Sequence, residues 1–423
     1  MNARAALASL TRDQRNTFVA SFLGWTLDAF DFFLVIVVVS HVASDFHAAV
    51  EEVAFAVTLT LMMRPLGALI FGWIADRYGR RTPLMIDVAI YSLIELLTAF
   101  SPNLGVFIAL RALYGVAMGG EWGIGAALAM EAMPPQNRGL FSGILQEGYA
   151  VGNLLAGVVL GTLYTHIGWR GMFVVGVLPA LLIFYIRSKV PESPVWLAGK
   201  AQRIGKHGDV LWASIRRYWP LFIYAILFMS AFNYLSHGTQ DLYPTFLALQ
   251  HKFDPGMVGL LNAIASVGAI LGGIAFGTLS QRYGRRSMIV VCAVLGMALV
   301  PLWAFSHTVA LLGLGGFLMQ FMVQGAWGII PAHLNEISPP SIRATFPGFT
   351  YQMGNLISAN ALQLEAAFAA RTFPLPSGHP DYAKAMSVVA LVVFVAVILL
   401  TLVGYAVVPE RRDAAFEMLP PAE

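Results

Sequence analysis

Charged residues are scarce in this sequence, and their scarcity excludes an ordinary soluble protein. Asp, Glu, Lys and Arg make up 12% of the 423 residues, whereas a soluble domain carries about 25%. Apolar residues account for 58% of the chain. A chain with so little polar surface is typical of a protein that lies within a membrane.

The sequence also lacks the residue patterns that several kinds of chemistry require. The single cysteine, Cys292, lies in an apolar run and can form no internal disulfide, so it is most simply a small core residue. The sequence contains no His/Cys cluster of metal-ligand spacing and no Gly-x-x-x-x-Gly-Lys motif for ATP. No Ser-His-Asp arrangement has a supporting context. We therefore predict no metal, no cofactor and no enzymatic activity.

Long apolar runs are what the sequence does contain. Twelve of them approach or exceed the roughly 20 residues that a membrane-spanning helix needs. Strands are not expected, because a lone apolar strand would leave its backbone groups unpaired in lipid. We predict an all-α membrane protein with twelve transmembrane helices. The predicted spans are residues 17–41, 52–75, 82–101, 104–130, 139–164, 170–189, 217–248, 256–280, 287–306, 308–334, 344–369 and 383–408.

The first half of the chain resembles the second half at a fixed offset of 205 residues. Two parallel copies in so apolar a chain indicate a transporter built from two similar six-helix bundles. We predict an N-terminal bundle at 1–190, a cytoplasmic linker at 191–216, a C-terminal bundle at 217–410 and a cytoplasmic tail at 411–423. The matching pairs include Gly72/Gly277, Arg77/Arg282, Tyr78/Tyr283, Gly79/Gly284, Arg80/Arg285, Arg81/Arg286, Trp122/Trp327, Glu131/Glu336 and Arg138/Arg343.

Basic residues fall mainly on one side of the predicted spans. With the N-terminus in the cytoplasm, 20 of the 26 Lys and Arg residues are cytoplasmic. This is the positive-inside pattern, and it predicts a multi-pass membrane protein with both termini in the cytoplasm. The compact loops indicate a bacterial protein, so the expected location is the bacterial inner membrane. The net charge of +3 therefore reports topology, and nothing indicates nucleic acid as a partner. The expected partner is the lipid bilayer, and the expected functional unit is a monomer.

The repeated basic loop resembles a known family signature. The run from Gly72 to Arg81 is similar to the signature loop of the major facilitator superfamily. The pattern Leu113-x-Gly115-x-x-x-Gly119 and the run from Pro191 to Leu197 resemble further signatures of its sugar-porter-like members. The resemblance implies the major facilitator fold, with two six-helix bundles that rock about a central site.

Charged residues of these loops are expected to form ion pairs that lock one conformation. The second loop has Gln281 where the first has Asp76, so its lock is expected to be weaker or differently wired. The predicted gating residues are Asp76, Arg77, Arg80, Arg81, Glu131, Arg138, Arg282, Arg285, Glu336 and Arg343.

A sharper resemblance lies in span seven. Its pattern, Asn233-x-x-Ser236-His237-x-Thr239-Gln240-Asp241-x-x-x-Thr245, is similar to the full signature of the sialate/monocarboxylate:proton symporter group, which includes lactate and pyruvate permeases. In that group an arginine of span two and a Gln-x-x-Asn pair of span eleven also matter for substrate. The resemblance thus implies a substrate site formed by Arg64, Asn233, His237, Gln240, Gln352 and Asn355.

The polar residues of span seven support this site independently. At 100° per residue they share one side of a helix, and Asn233 to Asp241 covers about 12 Å of its axis. A stripe of this kind lines a cavity or packs on another helix, because facing lipid would be costly.

Arg64 lies near the middle of span two, where a charge costs roughly 3 kcal/mol unless it is solvated or paired. It is expected to bind a substrate carboxylate. The alternatives are an ion pair with Asp28 or Asp31, or a place nearer the cytoplasmic gate. Arg111 of span four has the same two interpretations: it binds substrate, or it forms an ion pair with Glu95 or Glu121.

Acids within the spans are candidates for carrying a proton. Asp28 and Asp31 lie three residues apart on one face of span one, and a proton-handling role competes with a buried pair to Arg64. Glu121 has the same two interpretations, and Glu147 is interpreted as structural. The predicted proton-coupling residues are Asp28, Asp31, Glu121, His237 and Asp241.

These observations predict a proton-coupled symporter that imports a small monocarboxylate such as lactate or pyruvate by alternating access. The expected partners are a small organic anion and a proton. The competing hypotheses are a sialic acid or other organic-anion symporter, a metabolite exporter and a non-transporting membrane sensor.

Overall fold

The computed structural model describes residues 3–203, 210–375, 380–412 and 416. Within these ranges the chain is helical, apart from turns and an isolated antiparallel bridge between Pro374 and Pro380. The α-helices are α1 Ala3–Ala8, α2 Arg12–Asp45, α3 Val50–Tyr78, α4 Arg81–Ala99, α5 Leu104–Ala132, α6 Arg138–Gln146, α7 Gly148–Val175, α8 Ala180–Lys189, α9 Pro194–Arg203, α10 Val210–Gln240, α11 Tyr243–Leu249, α12 Pro255–Tyr283, α13 Arg285–Phe305, α14 Val309–Trp327, α15 Ile330–Ile337, α16 Thr345–Ser358, α17 Ala361–Thr372 and α18 Tyr382–Val407.

The predicted all-α class is confirmed, and the predicted spans coincide with helices. Ten helical segments of the described ranges are long and apolar enough to cross a membrane. One of them, Pro135–Lys189, has 55 residues, and a straight helix of that length would measure about 80 Å, enough for two crossings. Gly168, with φ of +63°, kinks α7 between the predicted fifth and sixth spans.

Several predicted spans are broken rather than continuous. Span seven is divided between α10 and α11 at Asp241, and span eleven is divided between α16 and α17 near Asn360. Span five is interrupted at Glu147, where α6 ends and α7 begins. In a membrane such breaks are tolerated where the backbone is buried in protein or lines a cavity.

The two halves of the chain meet through a few specific helices. Helix α6 packs on α12, while α3 and α5 pack on α16. The division into bundles at 1–190 and 217–410 remains a prediction. Residues 204–209 of the predicted linker, and 413–415 and 417–423 of the predicted tail, lie outside the described residues.

Helices α3 and α5 approach each other closely because two glycines of α5 present no side chain. A Cβ at Gly115 would collide with the backbone carbonyl of Thr60, and one at Gly119 would collide with that of Arg64. Small residues of this kind allow close helix packing in membranes. The glycines of the Leu113-x-Gly115-x-x-x-Gly119 pattern therefore determine where the backbone of Arg64 lies.

Candidate functional site

A cavity of about 510 Å³ lies between the two halves of the chain, and we call it the central cavity. Both halves contribute polar side chains to it, as expected for a substrate site at the interface of two repeats. Its polar lining residues include Arg64, Gln146, Glu147, Tyr149, Asn153, Asn233, Ser236, His237, Gln240, Asp241, Gln320, Gln324 and Asn355.

Arg64 is the arginine that lines the central cavity. It is the middle residue of α3, so its charge lies deep in the membrane-spanning segment rather than at a helix end. Its side chain is 3% exposed, and its Nη2 lies 3.9 Å from Asp28 Oδ2. Among the described residues its Nε and Nη2 have no hydrogen-bond partner. Arg64 thus has an acidic neighbour at ion-pair distance that accepts no hydrogen bond from it, and an opening beside it.

Asp28, Asp31 and Glu121 lie behind the cavity wall. Each is fully buried, and none of their carboxylate oxygens accepts a hydrogen bond from any described residue. A buried carboxylate without donors is costly when ionised, and such a group is commonly neutralised by a proton. Of the three, Asp28 lies within ion-pair distance of the cavity arginine.

Arg111, by contrast, has a hydrogen-bonded acidic partner. Its Nη2 donates a hydrogen bond of 2.6 Å to Glu95 Oε2 and another of 2.9 Å to the Thr98 hydroxyl. Its guanidinium also lies 4.3 Å from the centre of the Tyr114 ring. Glu95 therefore is its partner in place of Glu121, the other acid considered.

Span seven contributes four of the predicted site residues to the cavity. The Nδ1 atom of His237 lies 2.8 Å from Asp241 Oδ2, and the two side chains are 37% and 30% exposed. This exposure excludes a buried core histidine. Gln240 donates a hydrogen bond of 2.7 Å to Gln320 Oε1, and Asn233 donates one of 2.9 Å to its own helix at Met229.

The Gln-x-x-Asn pair of span eleven is arranged in two layers. Asn355 lines the cavity, whereas Gln352 is fully buried behind it. Asn355 Nδ2 donates a hydrogen bond of 2.9 Å to Gln352 Oε1. Gln352 therefore orients Asn355 and does not itself line the cavity.

Several cavity residues were not anticipated as site residues. Glu147, which the sequence suggested was structural, lines the cavity because it occupies the break between α6 and α7. Gln320 and Gln324 lie one turn apart on α14 and face the cavity together. Their i, i+4 spacing within an apolar span was the available signal, since such polar pairs avoid lipid.

Aromatic side chains form the floor of the cavity. Tyr351 stacks on Trp122 with ring centres 4.4 Å apart, and it contacts Trp327 edge-on at 5.8 Å. Trp25 stacks on Tyr149 at 5.6 Å. Trp122 and Trp327 occupy equivalent positions of the two repeats, so the floor is built from both halves.

Below this floor lies the end of the molecule that we call the basic end, where the two repeated loops are found. Arg80 Nη2 donates a hydrogen bond of 2.9 Å to Glu131 Oε1, and Arg80 Nη1 lies 3.1 Å from Asp76 Oδ1. Burial alone would lower the pKa of Arg80, but the Glu131 and Asp76 carboxylates raise it above its usual value. The Glu192 carboxylate accepts from the Arg80 backbone N–H at 2.7 Å.

The second loop repeats this arrangement. Arg285 Nη2 donates a hydrogen bond of 2.8 Å to Glu336 Oε1, and Glu410 accepts from the Arg285 backbone N–H at 2.7 Å. Gly79 and Gly284 adopt φ of +103° and +102°, a conformation that side chains disfavour. The two charged clusters are therefore local structural copies of each other.

Asp76 links the two halves at the basic end. Its carboxylate accepts hydrogen bonds from the backbone N–H groups of Ala344 and Thr345 at 2.9 and 3.0 Å, at the start of α16. A carboxylate is favoured there by the unpaired N–H groups and by the helix dipole. At the equivalent position Gln281 Oε1 accepts from the Gly139 N–H at 3.1 Å, so a neutral amide replaces the charge.

The remaining predicted gating residues lie around these clusters. Arg343 Nη1 is 4.0 Å from Glu131 Oε1, and Arg138 donates a hydrogen bond to the Met130 carbonyl. Arg81 donates to the Arg187 carbonyl. Arg77 and Arg282 lie over the rings of their neighbours Tyr78 and Tyr283, at 5.2 and 5.3 Å from the ring centres. These last two arginines therefore sit outside the ion-pair clusters.

The sequences of several transporters align with most of this chain. It is 31% identical over 429 aligned residues to a carboxylic acid transporter protein homolog of Saccharomyces cerevisiae, covering 94% of this chain and 69% of the relative. It is 28% identical over 348 residues to the sialic acid transporter NanX of Escherichia coli, covering 81% of this chain and 84% of the relative.

A solved structure shares the fold. The proton:xylose symporter XylE superposes with a TM-score of 0.69 over 96% of this chain and 98% of its own, at 17% sequence identity. The sequence profile of the Major Facilitator Superfamily matches residues 21–359 and 240–416. The predicted major facilitator fold is thereby confirmed. The chain belongs to the Major Facilitator Superfamily: it is a multi-pass membrane transporter and not an enzyme.

Proposed function

We propose that this protein is a proton-coupled symporter that imports a small monocarboxylate, such as lactate or pyruvate, as a member of the sialate/monocarboxylate:proton symporter group. The observation that carries the proposal is Arg64, a cation in the middle of a spanning helix that lines the central cavity and has no hydrogen-bonded acid in the described part of the chain. The names of the yeast and bacterial relatives, a carboxylic acid transporter homolog and a sialic acid transporter, support an organic-acid substrate.

Substrate binding in this proposal centres on the guanidinium. A carboxylate in the cavity accepts hydrogen bonds from Arg64, whose planar fork matches two carboxylate oxygens. Asn233, Gln240 and Asn355 line the same cavity and offer amide groups to the remaining oxygens of the substrate. Gln352 contributes through its hydrogen bond with Asn355.

The position of Asp28 supports proton coupling. An ionised Asp28 attracts Arg64 and competes with the substrate carboxylate, whereas a protonated Asp28 leaves the guanidinium to the substrate. Binding of anion and proton together is then favoured over binding of the anion alone. Asp31 and Glu121 extend the buried acid group, and the exposed His237–Asp241 pair is a second place for a proton to enter.

Alternating access requires the basic end to open. In the structure this end is closed by the aromatic floor, by the contact of Asp76 with α16 and by the packing of α6 on α12. Rocking of residues 1–190 against 217–410 would break these contacts and release the substrate there. We propose the bacterial inner membrane as the location, with the basic end in the cytoplasm and a monomer as the functional unit.

A sialic acid symporter is the second candidate. The central cavity of about 510 Å³ is larger than a three-carbon acid requires, and amide side chains of Gln146, Asn153 and Gln324 line it beside Arg64. Such groups can form hydrogen bonds with the many hydroxyl groups of a sugar acid. For this candidate the substrate carboxylate still binds Arg64, and these amides bind the remainder of the substrate.

Uptake into proteoliposomes under an imposed pH gradient tests the proposal. An inward proton gradient is expected to stimulate accumulation of labelled lactate or pyruvate, and a protonophore is expected to abolish the stimulation. Stimulated uptake of sialate alone would select the second candidate. Uptake that ignores the gradient would reject symport, and Arg64→Gln protein that transports normally would remove Arg64 from the site.

A further inference from the structure

The first half of the chain buries more acids than its arginines can neutralise. Five carboxyl groups in helices α2, α4 and α5 are fully buried. The arginines buried with them are Arg64 and Arg111, of which Arg111 is hydrogen-bonded to Glu95. The five acids are Asp28, Asp31, Asp87, Glu95 and Glu121.

Asp87 is the member of this group to which the substrate site assigns no role. It is 0% exposed, and both of its oxygens lack a hydrogen-bond partner in the described part of the chain. The ionisable groups that face it are Glu121 on α5, Asp28 on α2 and Tyr91 on its own helix. A buried, unpaired carboxylate within a spanning helix costs several kcal/mol, so it is retained for a function or held neutral by a proton.

Unpartnered hydroxyl groups point to a proton as the ligand of this group. Tyr91 and Tyr114 are fully buried with ring centres 6.2 Å apart, and neither hydroxyl has a hydrogen-bond partner among the described residues. Both interact electrostatically with Asp28 and Asp31. Within the described residues, no three His, Cys, Asp or Glu side chains are grouped to hold a metal ion.

Asp87, Glu121 and Asp28 lie at increasing distances from the basic end, measured along their helices. Asp87 lies six residues, about 9 Å, along α4 from Arg81, and Glu121 lies ten residues, about 15 Å, along α5 from Glu131. Asp28 lies twelve residues, about 18 Å, along α2 from Asn16, whose side chain bonds the Lys189 carbonyl at that end.

Neighbouring acids of this series influence each other electrostatically. The Glu121 carboxylate lies against Gly24, which is one helical turn from Asp28 on the same face of α2. Glu121 interacts electrostatically with Asp28, and Asp87 interacts with both. The Asp28–Glu121–Asp87 series therefore leads from the neighbour of Arg64 toward the basic end, inside the first half and outside the lining of the central cavity.

We propose that Asp87 and Glu121 carry the co-transported proton from Asp28 to the basic end, along a route separate from that of the substrate. In each step a protonated carboxyl gives its proton to an ionised neighbour, so the number of protons and charges in the series is conserved. The inference rests on the proposed symport. It assigns Asp87 as a further residue of the transport reaction, one that never touches the substrate.

Separate measurement of net uptake and exchange tests this route. Net proton-driven uptake requires the proton to leave at the basic end, whereas exchange of labelled for unlabelled substrate across the membrane does not. Asp87→Asn is expected to lower net uptake at least tenfold and to keep exchange within twofold of the wild type. Glu121→Gln is expected to show the same split, and Asp87→Glu is expected to recover net uptake.

Ser92→Ala is the matched control, because Ser92 is 2% exposed on the same helix and its hydroxyl also lacks a partner among the described residues. It is expected to leave both rates unchanged. Wild-type net uptake in Asp87→Asn would overturn the route, and so would equal loss of both rates in a folded Asp87→Asn protein. If Asp87→Asn does not fold, the split in Glu121→Gln decides. Wild-type uptake that ignores the pH gradient would instead overturn the symport itself.

Discussion

The Nη2 atom of Arg64 lies 3.9 Å from Asp28 Oδ2. This distance is too long for a hydrogen bond and short enough for an attraction of about 4 kcal/mol at the effective dielectric constant of about 20 that describes protein sites. Asp28 therefore influences Arg64 without occupying its hydrogen-bond donors. In the proposed mechanism, a substrate carboxylate in the cavity and the carboxylate of Asp28 compete for this one cation.

Replacement of Arg64 is expected to remove most of the substrate affinity. A charge-assisted hydrogen bond contributes about 1.5–3 kcal/mol, so Arg64→Gln should weaken carboxylate binding about 10- to 100-fold. Binding of labelled substrate to purified protein measures the change. Arg216→Gln, which removes an exposed arginine far from the cavity, is the control. Unchanged affinity in Arg64→Gln would exclude a carboxylate contact at this position.

Replacement of Asp28 by Asn is expected to remove the pH dependence of binding. In the wild type, raising the pH ionises Asp28, which then competes for Arg64, so substrate binding should weaken as pH rises. An Asn has no charge at any pH, and the affinity of Asp28→Asn should be the same at pH 6 and pH 8. A dissociation constant that still rises with pH in Asp28→Asn would assign the competing proton to another acid.

Replacement of Asp76 by Asn is expected to favour opening of the basic end. The variant removes a charge from the N-terminus of α16, which contributes about 1 kcal/mol and shifts the open population roughly fivefold. Spin labels at Tyr78→Cys and Tyr283→Cys, which are 56% and 52% exposed, report the separation of the halves. Asp254→Asn is the matched control, because the Asp254 carboxylate caps the N-terminus of its own helix, α12, through the backbone N–H groups of Gly256 and Met257. Equal distance distributions in both variants would contradict this role.

Replacement of Gly119 by Ala is expected to displace α3 from α5. The added Cβ meets the carbonyl of Arg64, and overpacking of this kind costs about 1–3 kcal/mol. Thermal unfolding should occur at a lower temperature, and substrate affinity should fall because Arg64 moves. Gly157→Ala is the control, since no atom lies within 4 Å of a Cβ at that glycine. Equal unfolding temperatures for the two variants would show that the contact is not tight.

Much of the site was predictable because membrane burial is costly for polar groups. The stripe on span seven places Asn233, His237 and Gln240 in the cavity, and helical periodicity alone indicated that these residues share a face. The 205-residue repeat likewise predicted that Arg80 and Arg285 make equivalent contacts, and each forms an ion pair with its repeated glutamate.

Other features depended on distances between helices that are remote in sequence. The choice of Glu95 rather than Glu121 for Arg111, and the position of Gln352 behind Asn355, follow from side-chain packing. Periodicity gives a direction around one helix and says nothing of what the neighbouring helix presents there. Glu147 reached the cavity because span five breaks at that residue, which apolar composition did not indicate.

The sequence by itself determined the helical class, the repeat and the face of each helix that carries polar residues, because these depend on local composition and on the period of a helix. The tertiary structure alone decided which charged side chains form ion pairs with each other. Whether a buried carboxylate is paired, as Glu95 is, or has no partner among the residues that the structure describes, as Asp87 does, depends on a few ångströms between helices. Coulomb attraction and hydrogen bonding vary steeply over that range, and no property of a single segment specifies it.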